Sequence, residues 1–210
     1  MIPTLTNPLG LPPYRRLNYL ASTGTQYIDT GVKPDYAGGD TVELKFYMAD
    51  PGNAVAYPFG NSTTSVRNGF YLSVEGRSMY NVQMRLVAAD ATSFQQVDMF
   101  SVDTKHWNED VTVKVSDGSI EVSSTYLNGT STFTKHVTSQ YSVYLFTFNR
   151  EDNPYTIYSG MRLYDWKYYR NGTLAQHLVP VLDLSGVPCL FDTVTRTLKY
   201  NAGTGAFNYD

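Results

Sequence analysis

The chain of 210 residues carries 16 basic and 19 acidic side chains, a formal net charge of −3, so it offers no broad basic surface for nucleic acid or anionic lipid. No apolar run approaches the roughly 20 residues that a membrane-spanning helix needs, and we expect no membrane partner. The single cysteine, Cys189, excludes an intrachain disulfide and a cysteine-based metal site. Its apolar setting, VPCLF, predicts a small buried side chain.

Residues 1–14 are predicted to form an extended, proline-rich arm, and residues 15–210 a single domain. Proline lacks an amide hydrogen and has a fixed φ, so a segment with four prolines favours extended backbone. The same prolines interrupt the apolar stretch of a secretory signal, and we expect no export signal. We expect the arm to dock on another subunit, with a frayed terminus as the alternative. Its prolines are Pro3, Pro8, Pro12 and Pro13, and its apolar anchors are Ile2, Leu5, Leu9 and Leu11.

The domain is predicted to consist of strands, because apolar and polar residues alternate and no segment has a convincing helical period. A hairpin is predicted over residues 111–122, where β-branched residues alternate with polar ones on both sides of Asp117-Gly118. Asparagine-glycine pairs tolerate the positive φ angles of tight turns. Such turns are predicted at Asn68-Gly69, Asn128-Gly129 and Asn171-Gly172. The other predicted strands span residues 41–48, 69–74, 82–88, 141–148 and 162–169.

Two segments frame this domain: LNYLASTGTQYIDTGV at residues 17–32 and GVPCLFDTVTRTLKYNAGTGAF at residues 186–207. They resemble the opening and closing strands of laminin-G-like, concanavalin A-like jelly-roll domains, a family abundant in gut bacteria and their phages. The resemblance implies an all-β fold, a jelly-roll sandwich of two antiparallel sheets. Domains of this family most often bind glycans or serve as structural appendages, and only some are hydrolases.

The same resemblance implies a saccharide site on an outer sheet face. In GFYLSV, alternation places Tyr71 on the sheet face opposite the apolar residues. In the next predicted strand, residues 82–88, alternation places Gln83 and Arg85 opposite the apolar residues as well. We predict these three as carbohydrate-binding residues, with ordinary solvated strand residues as the alternative. The segment YLFTFN resembles a family strand that ends in asparagine. It adds Asn149 to the predicted site, with capping of the following loop as the alternative role.

The segment RLYDWKYYRNG resembles the family's penultimate strand. This resemblance implies that Tyr164, Trp166 and Tyr168 point into the core. Trp107, which precedes a predicted strand as the family's buried tryptophan often does, is assigned to the core as well.

An enzyme is not expected. Retaining glycoside hydrolysis requires two carboxylates about 5 Å apart, and the nearest match, Glu43, is followed by leucine and lysine where a second carboxylate would stand. The three histidines, His106, His136 and His177, share no metal-binding spacing. We expect no cofactor, with one rim calcium ion as the alternative. Its candidate ligands, each alternatively a turn former, are Asp29, Asp35, Asp40, Asp50 and Asp152.

These observations together predict a noncatalytic phage virion protein, a capsid or tail appendage that adheres to host or mucosal glycans. The alternatives are a purely architectural virion protein that binds no sugar and a glycan-binding module of a bacterial surface protein. The expected partners are glycans and, through the arm, other virion or surface-protein subunits, including copies of the chain in a homo-oligomer. The expected location is the virion, after synthesis in the host cytoplasm, or alternatively the bacterial cell surface.

Overall fold

A computed structural model of the chain describes residues 14–36, 38–52, 54–63, 69–78, 81–89, 94–102, 108–126, 128–134 and 140–210. Only the backbone is described for residues 76–78, 81–87, 89, 94 and 98–102. The predicted arm therefore lies outside the described residues except for Tyr14. So do Asn68 of one predicted turn and the predicted core residue Trp107.

The described residues form strands, and no helix among them is long and apolar enough to cross a lipid bilayer. In chain order the strands are β1 (Arg15–Arg16), β2 (Leu20–Ala21), β3 (Ile28–Asp29), β4 (Thr41–Met48), β5 (Val55–Ser62), β6 (Gly69–Ser78), β7 (Asn81–Ala89), β8 (Phe94–Val102), β9 (Glu109–Ser116), β10 (Ser119–Ser123), β11 (Asn128–Thr132), β12 (Tyr144–Leu145), β13 (Asn149–Arg150), β14 (Asn153–Pro154), β15 (Arg162–Arg170), β16 (Thr173–Leu182), β17 (Pro188–Asp192), β18 (Leu198–Lys199) and β19 (Asn208–Tyr209).

The strands form two sheets. Sheet A has the order β11-β10-β9-β4-β15-β16-β17-β18, with β1 beside β16, β2 beside β15 and β19 beside β2. Sheet B has the order β14-β13-β5-β6-β7-β8, with β12 beside β5 and β3 beside β12. Strands β13 and β5 pair in parallel, and the other described pairs are antiparallel. This all-β architecture confirms the predicted concanavalin A-like jelly-roll sandwich.

The main core lies between the two sheets and includes Trp166, which is fully buried as predicted. Its ring lies 5.7 Å from the ring of Phe59, so β15 of sheet A contacts β5 of sheet B. The indole N–H donates to Oε1 of Gln176 over 3.0 Å, and Nε2 of Gln176 donates to the carbonyl of Thr30 over 3.0 Å. The indole N–H and both ends of the Gln176 amide thus have partners, which makes the burial of this tryptophan favourable.

Two of the predicted turns are confirmed. Strands β9 and β10 pair on either side of Asp117-Gly118, where the glycine has φ +69°. Strands β15 and β16 pair on either side of Asn171-Gly172, with φ +47° and +76°. At Asn171-Gly172 both central residues have positive φ, which matches the right-handed twist of the flanking strands; at Asp117-Gly118 only the glycine does.

The turn predicted at Asn128-Gly129 is wrong, because both residues belong to β11 and pair with β10. The chain bends earlier, over residues 124–126. Asn128 closes that bend with its side chain: Nδ2 donates to the carbonyl of Ser124 over 2.8 Å, and Oδ1 accepts from the Ser124 amide over 3.3 Å. The asparagine therefore supports the turn from the strand that follows it.

The strand predicted over residues 141–148 is also wrong in extent, since only the two residues of β12 pair there. Phe146 has φ +70°, which ends the extended conformation. Its ring is buried 4.9 Å from that of Phe207, and its carbonyl accepts a hydrogen bond of 2.6 Å from the Tyr158 amide. The core contact of Phe146 thus breaks the strand before Phe148.

Strand β15 contains a β-bulge that the sequence analysis missed. Its register with β4 shifts between Leu163 and Asp165, so Tyr164 is the extra residue. Tyr168 is buried as predicted, but Tyr164 is partly exposed on the outer face. There its hydroxyl donates to Oδ1 of Asp110 over 2.7 Å. The prediction that Tyr164 points inward is wrong because strict alternation fails at a bulge.

A second apolar cluster lies on the outer face of sheet A. Its members alternate along β16 and β17 with main-core leucines and therefore face away from sheet B. Tyr14 packs on it, with its ring 5.4 Å from that of Phe191. Cys189 is fully buried here, as predicted, and burial raises the pKa of its thiol to about 12. The cluster consists of Val179, Val181, Cys189 and Phe191.

We predict that Gly60→Ala destabilises the protein by about 3 kcal/mol. Gly60 has φ +145°, and a Cβ there would overlap Cβ of Tyr71 and the carbonyl of Phe70 on β6. The matched control is Gly186→Ala: φ is +79°, but a Cβ would meet no atom within 4 Å, so only the backbone strain of about 1 kcal/mol applies. Urea denaturation measures both losses, and equal losses would contradict the close approach of β5 to Tyr71.

Candidate functional site

A pocket of about 230 Å³ opens on the outer face of sheet B. Four aromatic side chains, two hydroxyl side chains and one guanidinium line it. We call it the aromatic pocket. Its lining residues are Tyr57, Ser62, Thr63, Tyr71, Phe148, Arg150 and Tyr155.

A β-bulge in β5 brings the first two rings together. The register with β6 passes from Ala56 opposite Val74 to Phe59 opposite Leu72, so β5 has one residue more than β6 in this interval. Without the extra residue, Tyr57 would share the buried face of Phe59. With it, the Tyr57 ring reaches the outer face of the sheet.

The rings of the aromatic pocket pack around Phe148, which is 5% exposed. Tyr71 stacks on Phe148, with ring centroids 4.7 Å apart and planes 17° apart. Tyr57 meets Phe148 edge-on at 4.8 Å and 67°, and meets Tyr71 at 5.6 Å and 74°. These are the offset-stacked and edge-to-face arrangements that aromatic quadrupoles favour. The cluster therefore holds its own shape and presents ring faces of fixed orientation.

Tyr155 completes the aromatic wall at its most accessible position. It is 48% exposed, and its ring lies 4.9 Å from Phe148 and 5.5 Å from Tyr57. The guanidinium carbon of Arg150 lies 5.1 Å from the centroid of the Tyr155 ring, within cation–π distance. The open side of the pocket thus presents an aromatic face and a cation held beside it.

The turn between β13 and β14 positions Arg150 and Tyr155. Glu151 and Asp152 both have left-handed backbone, with φ +54° and +64°, which costs free energy in non-glycine residues. The amide of Glu151 donates to the carbonyl of Ser62 over 3.3 Å, which ties this turn to β5. The turn therefore fixes the backbone from which Arg150 projects.

Asn149 anchors the same turn from inside the protein. It is fully buried; Oδ1 accepts from the Asp152 amide over 2.7 Å, and Nδ2 donates to the carbonyl of Ser142 over 3.0 Å. This is the capping role that the sequence analysis held as the alternative to ligand binding. Because both polar ends of the amide are engaged in the interior, Asn149 does not line the pocket and is not part of the site that we propose.

Of the other residues predicted to bind carbohydrate, Tyr71 lines the aromatic pocket. The register of β6 and β7 places Gln83 opposite Glu75 and Arg85 opposite Ser73, so the backbone positions of all three predicted strand residues share one face. The side chains of Gln83 and Arg85 lie outside the described residues, and their role stays a prediction.

Sequence reasoning missed six of the seven residues that line the aromatic pocket, namely Tyr57, Ser62, Thr63, Phe148, Arg150 and Tyr155. Alternation alone assigns Tyr57 to the core side of β5, and Phe148 was placed in a strand that does not form. The available signal was the number of aromatic residues on both sides of the polar residues 149–153. Such a pattern is consistent with a turn whose flanking aromatic side chains contact one another.

The carboxylates on the outer face of sheet A are engaged in a network. Lys167 Nζ lies 2.8 Å from Glu43 Oε1 and 3.4 Å from Asp165 Oδ1. His177 Nε2 lies 2.8 Å from Asp165 Oδ2. Glu43, the carboxylate that came nearest to a hydrolase pattern, thus sits in an ion pair with a lysine.

Three of the aspartates considered as calcium ligands accept hydrogen bonds from turn amides. Asp29 accepts from Gly31 over 2.8 Å, Asp35 from Gly38 over 3.1 Å, and Asp50 from Gly52 over 2.8 Å. Asp40 is buried and accepts from the Tyr168 hydroxyl over 2.6 Å. Among the described residues, no three His, Cys, Asp or Glu side chains converge as a metal site requires. His106 and His136 lie outside these residues.

Comparison with solved structures gives matches of low sequence identity. A CBM40 domain of the Ruminococcus gnavus IT-sialidase, bound to alpha2,3 sialyllactose, is 17% identical with a TM-score of 0.48, over 73% of this chain and 90% of that one. A native heptameric SAP-like pentraxin from Limulus polyphemus is 17% identical with a TM-score of 0.44, over 79% and 72% of the two chains.

The enzymatically active domain of tailspike protein 2 from bacteriophage CBA120 is 12% identical with a TM-score of 0.50. That match covers 67% of this chain but 23% of the tailspike chain. At such identity the likeness concerns the fold alone. No protein-family model and no curated protein matches the sequence.

We predict that Asp165→Asn lowers stability in a pH-dependent way. Burial would raise the pKa of Asp165, but its hydrogen bond with His177 and the charges of His177 and Lys167 outweigh burial and hold the pKa below its ordinary value of 3.8. A depressed carboxyl pKa stabilises the folded state above 3.8, and this contribution is lost as pH falls through the folded-state value. The difference in unfolding free energy between wild type and variant should therefore be present at about pH 6 and decrease as the pH falls below 3.8.

Urea denaturation at a series of pH values measures this difference. His177→Gln is a second variant for the same series. Because removing the imidazole should raise the pKa of Asp165, the loss of stability should occur at higher pH in this variant than in wild type. A wild-type minus Asp165→Asn difference that is constant across the pH series would overturn the prediction.

Proposed function

We propose that the chain is a noncatalytic glycan-binding module that holds saccharides in the aromatic pocket on the outer face of sheet B. The observation that carries this proposal is the clustering of four aromatic rings, two hydroxyls and a guanidinium around one opening. The apolar C–H face of a sugar ring packs on an aromatic face, and its hydroxyls need nearby donors and acceptors.

The aromatic pocket supplies both kinds of contact. Tyr155 offers the most accessible ring face, at 48% exposed. Arg150 supplies donors, and its guanidinium lies over this ring, 5.1 Å from the centroid. The hydroxyl of Ser62 donates to the carbonyl of Thr63 over 3.0 Å, which leaves its oxygen lone pairs as acceptors. A hydroxyl-rich ring stacked on Tyr155 would therefore find polar partners at its edge.

The size of the pocket favours a small saccharide unit and a weak single site. Its volume of about 230 Å³ is below the roughly 300–1,000 Å³ of sites that enclose drug-sized ligands. Weak single sites become effective through multivalent display, because linked sites bind at high effective concentration. We therefore propose that the module acts as a homo-oligomer or as many copies on a particle.

For its setting, we propose a phage virion, with the chain as a capsid or tail appendage that adheres to host or mucosal glycans. The alternative setting is a bacterial surface protein. Both follow from the resemblance of residues 17–32 and 186–207 to a family found in gut bacteria and their phages.

A second candidate function is purely architectural, with assembly through the arm and no sugar binding. The observation that favours it is the anchoring of Tyr14 on Phe191, at the outer face of sheet A. The arm therefore enters the domain on the sheet that does not carry the aromatic pocket, so the two functions can be tested by separate variants.

We predict that Tyr155→Ala weakens glycan binding about 3- to 10-fold, as expected for the loss of one aromatic face. Glycan arrays with the multimeric protein identify the ligand, and titration calorimetry then measures its affinity. Tyr126→Ala is the matched control, because this tyrosine is 64% exposed and does not line the pocket. If both variants bind the array ligand like wild type, the aromatic pocket is not the site; if the wild-type multimer binds no glycan, the proposal fails.

We predict that deleting residues 1–13 reduces the native mass from that of a trimer or larger assembly to that of a single chain, while each domain keeps its glycan affinity. The truncation leaves Tyr14 in place, so the contact with Phe191 is preserved. Light scattering measures the mass. A single-chain mass for both forms would remove the arm-mediated homo-oligomer from the proposal, and loss of glycan affinity in the truncated form would contradict the separation of the two functions.

A further inference from the structure

We infer that the aromatic pocket selects anionic saccharides, whose carboxylate or sulfate group pairs with Arg150; this inference rests on the proposed glycan-binding function. Arg150 is the charged member of the pocket lining, which otherwise consists of aromatic rings and the hydroxyl side chains of Ser62 and Thr63. A ligand that enters the pocket therefore meets one positive charge, and none of the lining residues carries a carboxylate.

Arg150 has no acidic partner within the described part of the chain. Its contact is the ring of Tyr155, whose centroid lies 5.1 Å from the guanidinium carbon. Lys167 on sheet A differs in this respect, since its ammonium contacts both Glu43 and Asp165. An arginine that packs on a ring keeps its N–H donors in the plane of the guanidinium, where they can receive a planar carboxylate or a sulfate.

The position of Arg150 is fixed before any ligand binds. Its backbone lies in β13, where it pairs with Ser62 of β5 and with Asn153 across the turn. The buried amide of Asn149 holds the same turn through the amide of Asp152. Because this backbone is already ordered, binding costs little backbone entropy, and the contact with the Tyr155 ring restricts the guanidinium.

The surroundings of Arg150 strengthen an ionic contact. Phe148 is 5% exposed and Ser62 is 2% exposed, so the base of the pocket beside Arg150 is already shielded from water. Hydrogen bonds between charged groups are stronger than neutral ones, and they are screened less when partly buried. A neutral sugar would cover the guanidinium without giving it a counter-charge, which is unfavourable. The pocket should therefore discriminate by charge as well as by shape.

The test uses saccharides in pairs that differ in charge alone. One set contains oligosaccharides of uronic acids and their methyl esters, and the other contains sulfated oligosaccharides and their desulfated forms. We expect wild type to bind the anionic member of at least one set about tenfold or more tightly than its neutral partner, the effect of one charged hydrogen-bonding group. Which set shows the preference distinguishes carboxylate from sulfate.

Arg150→Gln should abolish this preference, so that the two members of the pair bind within about twofold of each other. Arg150→Lys should keep the preference in weaker form, because the charge remains without the planar fork. Arg170→Gln is the matched control: this arginine also lies over a tyrosine, with 5.7 Å to the Tyr168 centroid, but it does not line the pocket. Unchanged thermal midpoints confirm that the variants fold.

The outcomes separate this inference from the function on which it rests. Equal binding of charged and neutral members by wild type overturns the inference and leaves the glycan-binding function standing. A preference that survives Arg150→Gln, or that Arg170→Gln removes, overturns the assignment to Arg150. Binding of neither member, in either set and on the array, overturns the proposed function and the inference together.

Discussion

The extra residue in β5 between Ala56 and Phe59 is the constraint on which the outer face of sheet B depends. Because of it, two nearby residues of β5 contribute to different surfaces. Phe59 packs against Trp166 in the core, and Tyr57 contacts Tyr71 on the outer face of sheet B. A regular strand would place both rings on one side, and the outer face would lose the edge-on partner of its stacked pair. The arrangement of rings in the pocket is thus a consequence of a local irregularity in β5.

The charged side chains around Lys167 on sheet A and around Arg150 on sheet B are stabilised by different contacts. On sheet A, lysine, histidine and carboxylate side chains neutralise one another in the network around Lys167 and Asp165. On sheet B, rings cover one another, and Arg150 lies on the ring of Tyr155 instead of on an acid. A face whose charges are mutually satisfied has little to offer a charged ligand, whereas a cation supported by a ring retains its hydrogen-bonding capacity.

The jelly-roll fold could be predicted from the resemblance of residues 17–32 and 186–207 to a known family, and individual strands could be predicted because their signals are local and repetitive. Alternating valines beside Asp117-Gly118 specify a hairpin without reference to the rest of the chain, and the burial of Trp166 follows from the segment that contains it. The aromatic pocket could not be predicted in the same way. Tyr57 and Tyr164 both lie at bulges, where one inserted residue reverses the side of the sheet that alternation assigns.

The region around Phe148 escaped prediction for a related reason. Phe146 adopts a left-handed conformation because its ring is taken into the core beside Phe207, a residue distant in the chain. The conformation of that segment is therefore determined by tertiary packing. Only Tyr71, in a regular strand, was assigned to the pocket from sequence, and the role of Asn149 changed once its burial was known.

The contact of Tyr14 with Phe191 makes the outer face of sheet A different from the outer face of sheet B. Phe191 and the aromatic pocket lie on the outer faces of different sheets, with the whole core between them. Contacts made on one side leave the other side open, so a neighbour attached beside Tyr14 and a ligand on Tyr155 do not compete for space. The two outer faces of the sandwich are thus geometrically independent, and a substitution on one need not alter the other.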